Sequence, residues 1–184
     1  MVSALKRAGI DAELTSDQTR IASADGLVLP GVGNFGAASR MLKPFKYTLT
    51  EALESGKPML GSCLGMQLLF ESSDEAEGAG LGFIKGRIKR FSSGVKIPHM
   101  GWNQVIPLRP CPLLEGVEGD YFYFVHSFYP DPVNPIDSVA TTDYSGPFTS
   151  VVSRGCLYGT QFHPEKSGAS GATLLRNFAR LLRR

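Results

Sequence analysis

The stretch from Lys57 to Phe70 constrains this chain more than any other. Lys57-Pro58-Met59-Leu60 reads as a buried strand, Leu64 to Phe70 as the start of a helix, and Gly61-Ser62-Cys63-Leu64-Gly65 joins them. A chain that passes from strand to helix in so few residues must turn sharply, and the glycines flanking Cys63 let the two backbones approach closely. A thiol at such a turn faces the positive end of a helix, which favours the thiolate form.

A hundred residues later comes His163-Pro164-Glu165. Read as an extended segment, it points His163 and Glu165 the same way, since alternate side chains share a face. Pro164 holds its own φ and biases His163 toward extended geometry. The carboxylate can then orient the imidazole as the third member of a triad does. Alone, a cysteine after a buried strand is ordinarily a small core residue, and a single histidine a satisfied structural one. Together, with glycines at the turn, Cys63, His163 and Glu165 point to nucleophilic catalysis.

The rest of the chain reads as α/β. Val2 to Ala8 looks helical, with Gly9 as its cap. Gly26 to Pro30 is a short strand running into Gly31-Val32-Gly33. Ala37 to Leu53 is helical, with Pro44 as a break, and Gly56 ends it. Such strand–turn–helix units predict parallel strands covered by helices. From Gly82 the texture turns to β, with strand candidates at Phe83 to Phe91, Gln104 to Leu108, Tyr121 to Tyr129, Ser138 to Asp143, Thr149 to Ser153 and Cys156 to Phe162. An amphipathic helix closes the chain, with Leu174, Leu175, Phe178, Leu181 and Leu182 on one face. The expected fold is one domain over residues 1–184, a mostly parallel open sheet flanked by helices with an additional antiparallel β portion. The chain opens inside a helix, so the first strand of such a sheet is missing from this sequence.

Composition excludes several alternatives. A formal net charge of +2 argues for neither nucleic acid nor a membrane surface. The basic clusters Arg87-Lys89-Arg90 and Arg180-Arg183-Arg184 read as solvated faces, without the interleaved aromatics of a single-strand binder. Three cysteines and no CxxC pair offer no disulfide framework. A reducing, cytoplasmic setting fits, and no cofactor or metal is expected.

A thiolate beside a His–Glu pair suits acyl transfer through a thioester, which requires an oxyanion hole. The backbone N–H of Leu64 is one candidate donor. Gly31-Val32-Gly33 is a second, although it reads equally as an ordinary strand-to-helix loop.

Gly61 to Gln67 and His163-Pro164-Glu165 resemble the class I, or triad, glutamine amidotransferases. Leu29 to Gly33, Pro98 to Asn103, Phe124 to Tyr129 and Gln161 to Gly168 resemble the branch of that family serving histidine biosynthesis, and the resemblance covers essentially the whole chain. It implies that Cys63 attacks the carboxamide of glutamine while His163, held by Glu165, moves the protons. It places Gly33, Gln67, Glu75, His126, Ser127 and Phe128 around the substrate, with Gly31, Val32 and Leu64 at the oxyanion. It also implies a partner, a cyclase subunit with a (β/α)8 barrel, met by Trp102 and Asn103. A partner-binding subunit without activity, and a thiol hydrolase of the same fold acting on another amide, remain open alternatives.

Overall fold

The computed structural model describes residues 1–92 and 94–182; Arg183 and Arg184 of the C-terminal basic cluster lie outside the described residues. Helix α1 (Val2–Arg7) ends at Gly9, whose φ of 85° is a conformation glycine adopts without strain. Helix α2 (Gln18–Ser23) was not expected. It carries no apolar stripe, but Asp17 caps it by accepting hydrogen bonds from the backbone N–H groups of Thr19 and Arg20.

Strand β1 (Leu27–Gly31) leads to α3 (Phe35–Leu42) and α4 (Lys46–Glu54), separated by a 3-10 turn at Lys43–Phe45. Pro44 marks that break, as expected. Strand β2 (Met59–Cys63) runs directly into α5 (Leu64–Gln67). This helix is shorter than the apolar run predicts. The carbonyls of Leu68, Leu69 and Phe70 instead accept from the N–H groups of Leu81, Ile84 and Gly82, so long-range pairing replaces further helical turns.

The β-rich half contains β3 (Ser72–Ser73), β4 (Gly86–Arg90), β5 (His99–Gln104), β6 (Ile106–Pro107), β7 (Tyr121–His126), β8 (Phe128–Pro132), β9 (Ser138–Asp143), β10 (Pro147–Arg154) and β11 (Leu157–Thr160). The long candidate from Tyr121 to Tyr129 is therefore two strands, β7 and β8, which pair with different partners. Helix α6 (Gly168–Leu181) ends the fold.

The main sheet has six strands in the order β1-β2-β11-β10-β9-β6. Strands β1, β2 and β11 are mutually parallel, and the β11-β10-β9-β6 side is antiparallel. Thus β1 stands at one end of the sheet. Strands β3-β4-β8 and the β5-β7 ribbon form two small sheets.

Alternation along the central strands divides the core in two. Leu60, Val151 and Tyr158 join the cluster beneath α1 and α6, whereas Met59, Val152 and Leu157 join the one beneath α3, α4 and α5. Each such fully buried side chain contributes about 1.5–3 kcal/mol. Both faces of the parallel strands are thereby fixed, and their C-terminal ends (Gly31, Cys63 and Thr160) are held side by side.

Candidate active site

Cys63 sits where β2 meets α5, with φ 52° and ψ −112°. A positive φ is costly for any residue with a Cβ and marks stored strain. What enforces it is packing on both sides of the turn. A Cβ on Gly65 would stand 1.7 Å from the Leu29 carbonyl oxygen, and one on Gly31 would stand 2.6 Å from the Gly65 nitrogen. The turn is thus pressed against β1, and Gly31 is the register partner of Cys63. The Leu64 N–H is at the first helical position, where a helix has no partner of its own to offer it.

His163 follows β11 and is nearly inaccessible to solvent, with 2% exposure. Its backbone is pinned at both ends: its N–H donates to the Tyr123 carbonyl at 3.0 Å, and its carbonyl accepts from the Ser167 hydroxyl at 2.6 Å. Its Nδ1 meets Glu165 Oε1 at 3.0 Å. This contact arises differently from the extended reading. Pro164–Lys166 is a 3-10 turn, closed by the Lys166 N–H on the His163 carbonyl, and proline is well suited to its first position. The turn, rather than strand alternation, brings Glu165 back to the imidazole.

Burial alone would lower the His163 pKa. Hydrogen bonds to Cys63 and Glu165, reinforced by their charges, outweigh it and raise the value to about 9. The reciprocal contact with His163 holds the Glu165 carboxyl below its ordinary value, against the opposing effect of its own burial. The site therefore favours an imidazolium at His163, held by the Glu165 carboxylate.

These groups open into a cleft of about 360 Å³, which Val32, Gly33, Gln67, Glu75, Ser127 and Phe128 help to line. That is ample for a free amino acid. Gln67 is buried, and its Nε2 donates to the Phe128 carbonyl at 3.1 Å and to Gln161 Oε1 at 3.2 Å. Glu75 does not belong to a purely solvated acidic run: its Oε2 accepts from the Phe35 N–H at 2.7 Å, tying the start of α3 to the cleft wall. His126 donates from Nδ1 to the Phe128 carbonyl at 2.8 Å, which leaves its Nε2 as the acceptor for His99 Nδ1 at 2.9 Å. Burial pushes His99 down to about 4 and His126 down to about 3, so both remain neutral.

Trp102 and Asn103 part company. Trp102 is 56% exposed on the outer face of β5, edge-on to Tyr123 at 6.1 Å. The Asn103 amide turns inward, donating to the Asp143 carbonyl at 2.8 Å and meeting His99 Nε2 at 3.2 Å. Sequence reasoning missed Gln161, His99, Val125 and Lys166. Gln161 Nε2 donates to the Cys63 sulfur at 3.8 Å, and Val125 and Lys166 line the cleft. The only hint of Gln161 and Lys166 was their position flanking the His163-Pro164-Glu165 run.

Another cleft, about 380 Å³, lies around Arg109 and Arg154. Its cations are already committed, Arg154 to Asp137 and Arg109 to the carbonyls of Pro135 and Ser138. Among the described residues no cluster of His, Cys, Asp or Glu is arranged to hold a metal ion, and no helix is long and apolar enough to cross a membrane.

A cysteine at a strained strand-to-helix elbow, a histidine charged by its neighbours and a cleft at the ends of parallel strands come together in one α/β fold. The class I glutamine amidotransferase profile matches residues 2–182, and the chain belongs to that family. Within it, the chain is 49% identical to the imidazole glycerol phosphate synthase subunit HisH of Halobacterium salinarum, over 95% of this chain and 84% of that protein. It is 50% identical to the subunit of the same name from Thermococcus kodakarensis, over 95% of this chain and 92% of that protein. Among solved structures it superposes on a glutamine amidotransferase with a TM-score of 0.77 at 19% identity, covering 100% of this chain and 92% of that one. It also superposes on the PurLQS complex of Thermotoga maritima with a TM-score of 0.71 at 20% identity, covering 97% of this chain and 90% of that one. These last two likenesses speak for the fold alone.

Proposed function

We propose that this chain is the glutaminase subunit of an imidazole glycerol phosphate synthase. In this reading it hydrolyses glutamine to glutamate and ammonia and passes the ammonia to a (β/α)8-barrel cyclase. The observation that carries the reading is Cys63, strained at its elbow, facing a His163 that Glu165 holds, in a cleft walled by Gln67 and Glu75.

The Cys63 thiolate attacks the side-chain carboxamide carbon of glutamine. The developing oxyanion is met by the Leu64 N–H and by a peptide N–H of the Gly31-Val32-Gly33 turn. His163 gives its proton to the departing nitrogen, releasing ammonia and leaving a γ-glutamyl thioester. Neutral His163 then takes a proton from water, the hydroxide equivalent attacks the thioester, and glutamate leaves as the thiolate and imidazolium are restored. Gln67 commits both N–H groups within the protein, so its Oε1 is left to accept from the ammonium of the substrate. Glu75 adds negative charge at the same end, and His126, Ser127 and Phe128 close the opposite wall.

Ammonia is mostly protonated near neutral pH, so direct transfer to an acceptor preserves the nucleophile. Met100, Trp102 and Tyr121 are each more than half exposed on the β5-β7 ribbon beside the cleft, an apolar surface suited to covering by the cyclase. The free cysteines Cys63, Cys111 and Cys156 suit a reducing compartment, and we place the activity in the cytoplasm.

The test is glutamate release from glutamine, with and without the cognate cyclase and its nucleotide ligand, with Cys63→Ala as the blank. Stimulated release that vanishes in the variant is expected. Absence of release from a folded sample would leave a binding subunit. Release from an unrelated amide, indifferent to the cyclase, would leave a different thiol hydrolase.

A further inference from the structure

We infer that Gln161 belongs to the reaction machinery: its carboxamide holds the Cys63 sulfur as a hydrogen-bond donor, and Gln67 sets the direction of that carboxamide. The inference rests on the reading of Cys63 as nucleophile and deepens it.

Gln161 is fully buried immediately after β11, and its backbone N–H donates to the Ser150 carbonyl at 2.9 Å. Its side chain lies between Gln67 and Cys63, at 3.2 Å and 3.8 Å. An amide can be placed either way round, so its direction must follow from its partners. Here the partners decide it. The Phe128 carbonyl can only accept, so the Gln67 group that meets it at 3.1 Å must be the N–H2 group. That same Gln67 nitrogen faces Gln161, which must present its oxygen in return. The Gln161 nitrogen is thereby left facing sulfur.

The consequence is chemical. A thiolate accepts hydrogen bonds and a thiol is a poor acceptor, so a fixed buried donor at the sulfur favours the reactive form. The donor needs no reorganisation, because Gln67 and the Phe128 carbonyl already hold it. Gln67 would thus do two things: its oxygen faces the substrate, and its nitrogen aims the group that steadies the nucleophile.

The test is the pH dependence of iodoacetamide alkylation at Cys63, mapped by peptide mass spectrometry and needing no glutamine. In Gln161→Met, which keeps the volume and loses the donor, alkylation at pH 7 should fall about tenfold and its pH profile move to higher pH. Turnover with glutamine should show a fall in kcat of tenfold or more with KM within threefold of wild type. Gln67→Met should shift the alkylation profile the same way, because the orientation lock is lost. Should Gln161→Met fail to fold, Gln161→Glu keeps the acceptor for Gln67 but sets a carboxylate against sulfur, and should shift the profile further. An unchanged Cys63 alkylation profile in a folded Gln161 variant overturns the inference. Absence of glutamate release from glutamine by folded wild-type protein with the cyclase present would overturn the glutaminase reading instead, and leave the alkylation result standing.

Discussion

Gly31 and Cys63 are register partners at the ends of adjacent parallel strands, and no side chain fits between Gly31 and the elbow. A Cβ there would lie 2.6 Å from the Gly65 nitrogen and 2.8 Å from the Leu64 Cβ. This closeness puts the peptides after Gly31 beside the sulfur, where an oxyanion would form.

Gly31→Ala must move backbone, since the atoms it meets are not a flexible tip. We expect kcat for glutamine hydrolysis to fall at least tenfold, with a lower Tm. Gly65→Ala meets the Leu29 carbonyl at 1.7 Å and should lose folded protein outright, as soluble yield will show. Wild-type turnover in Gly31→Ala would mean that the turn is only a connection.

The φ of 52° at Cys63 makes a second prediction. At an unstrained site glycine is less stable than alanine, mainly through unfolded-chain entropy. At Cys63 relief of strain opposes that term, so Cys63→Gly should match or exceed Cys63→Ala in denaturant midpoint. Both should lose roughly 10⁶-fold in turnover. A glycine variant clearly less stable than the alanine variant would show that the elbow carries no strain.

Stability should peak near pH 6.5. His163 is raised to about 9 when folded, so its contribution is complete below its unfolded value of 6.5 and is lost as pH rises through 9. His99 and His126 are lowered to about 4 and about 3, so the unfolded chain binds more protons below pH 6.5 and stability falls with acid. Glu165, with its folded pKa depressed, adds to the loss only below 4.5. Urea denaturation across pH 5–9 checks both limbs. Glu165→Gln should flatten the alkaline limb, and His126→Asn should shallow the acid one. Curves parallel to wild type would remove these groups from the explanation.

Away from the cleft, Arg154 grips Asp137 through Nε at 3.1 Å and Nη2 at 2.8 Å, and the aspartate side chain is only 3% exposed. Arg154→Met leaves that carboxylate buried without its partner and should cost about 3 kcal/mol. Adding Asp137→Asn should recover part of the loss, while turnover stays unchanged in both. Equal stability of wild type and Arg154→Met would contradict the pairing.

What the sequence disclosed follows from what leaves a local trace. The elbow was legible because close backbone approach demands glycine on both sides of Cys63. The break at Pro44 and the faces of α6 follow local rules as well. The length of α5 was not legible, because Leu81, Gly82 and Ile84, well down the chain, claim the carbonyls of Leu68, Phe70 and Leu69 just beyond it. The His163–Glu165 contact was anticipated for the wrong geometric reason, since a 3-10 turn serves it as well as a strand would. Gln161 left only its place beside the His163-Pro164-Glu165 run, because its role depends on Gln67 and Cys63 being brought to it across the sheet. Asn103 and Trp102 are adjacent in sequence yet face opposite sides of β5, a separation that becomes decisive once the position of His99 is known.

The most direct measurement is acid-quenched mass spectrometry of the protein mixed with glutamine in the presence of the cyclase. A γ-glutamyl adduct on the peptide containing Cys63 is expected, appearing before glutamate accumulates and absent from Cys63→Ala. Steady glutamate release with no adduct on Cys63, or with the adduct on another residue, would contradict it.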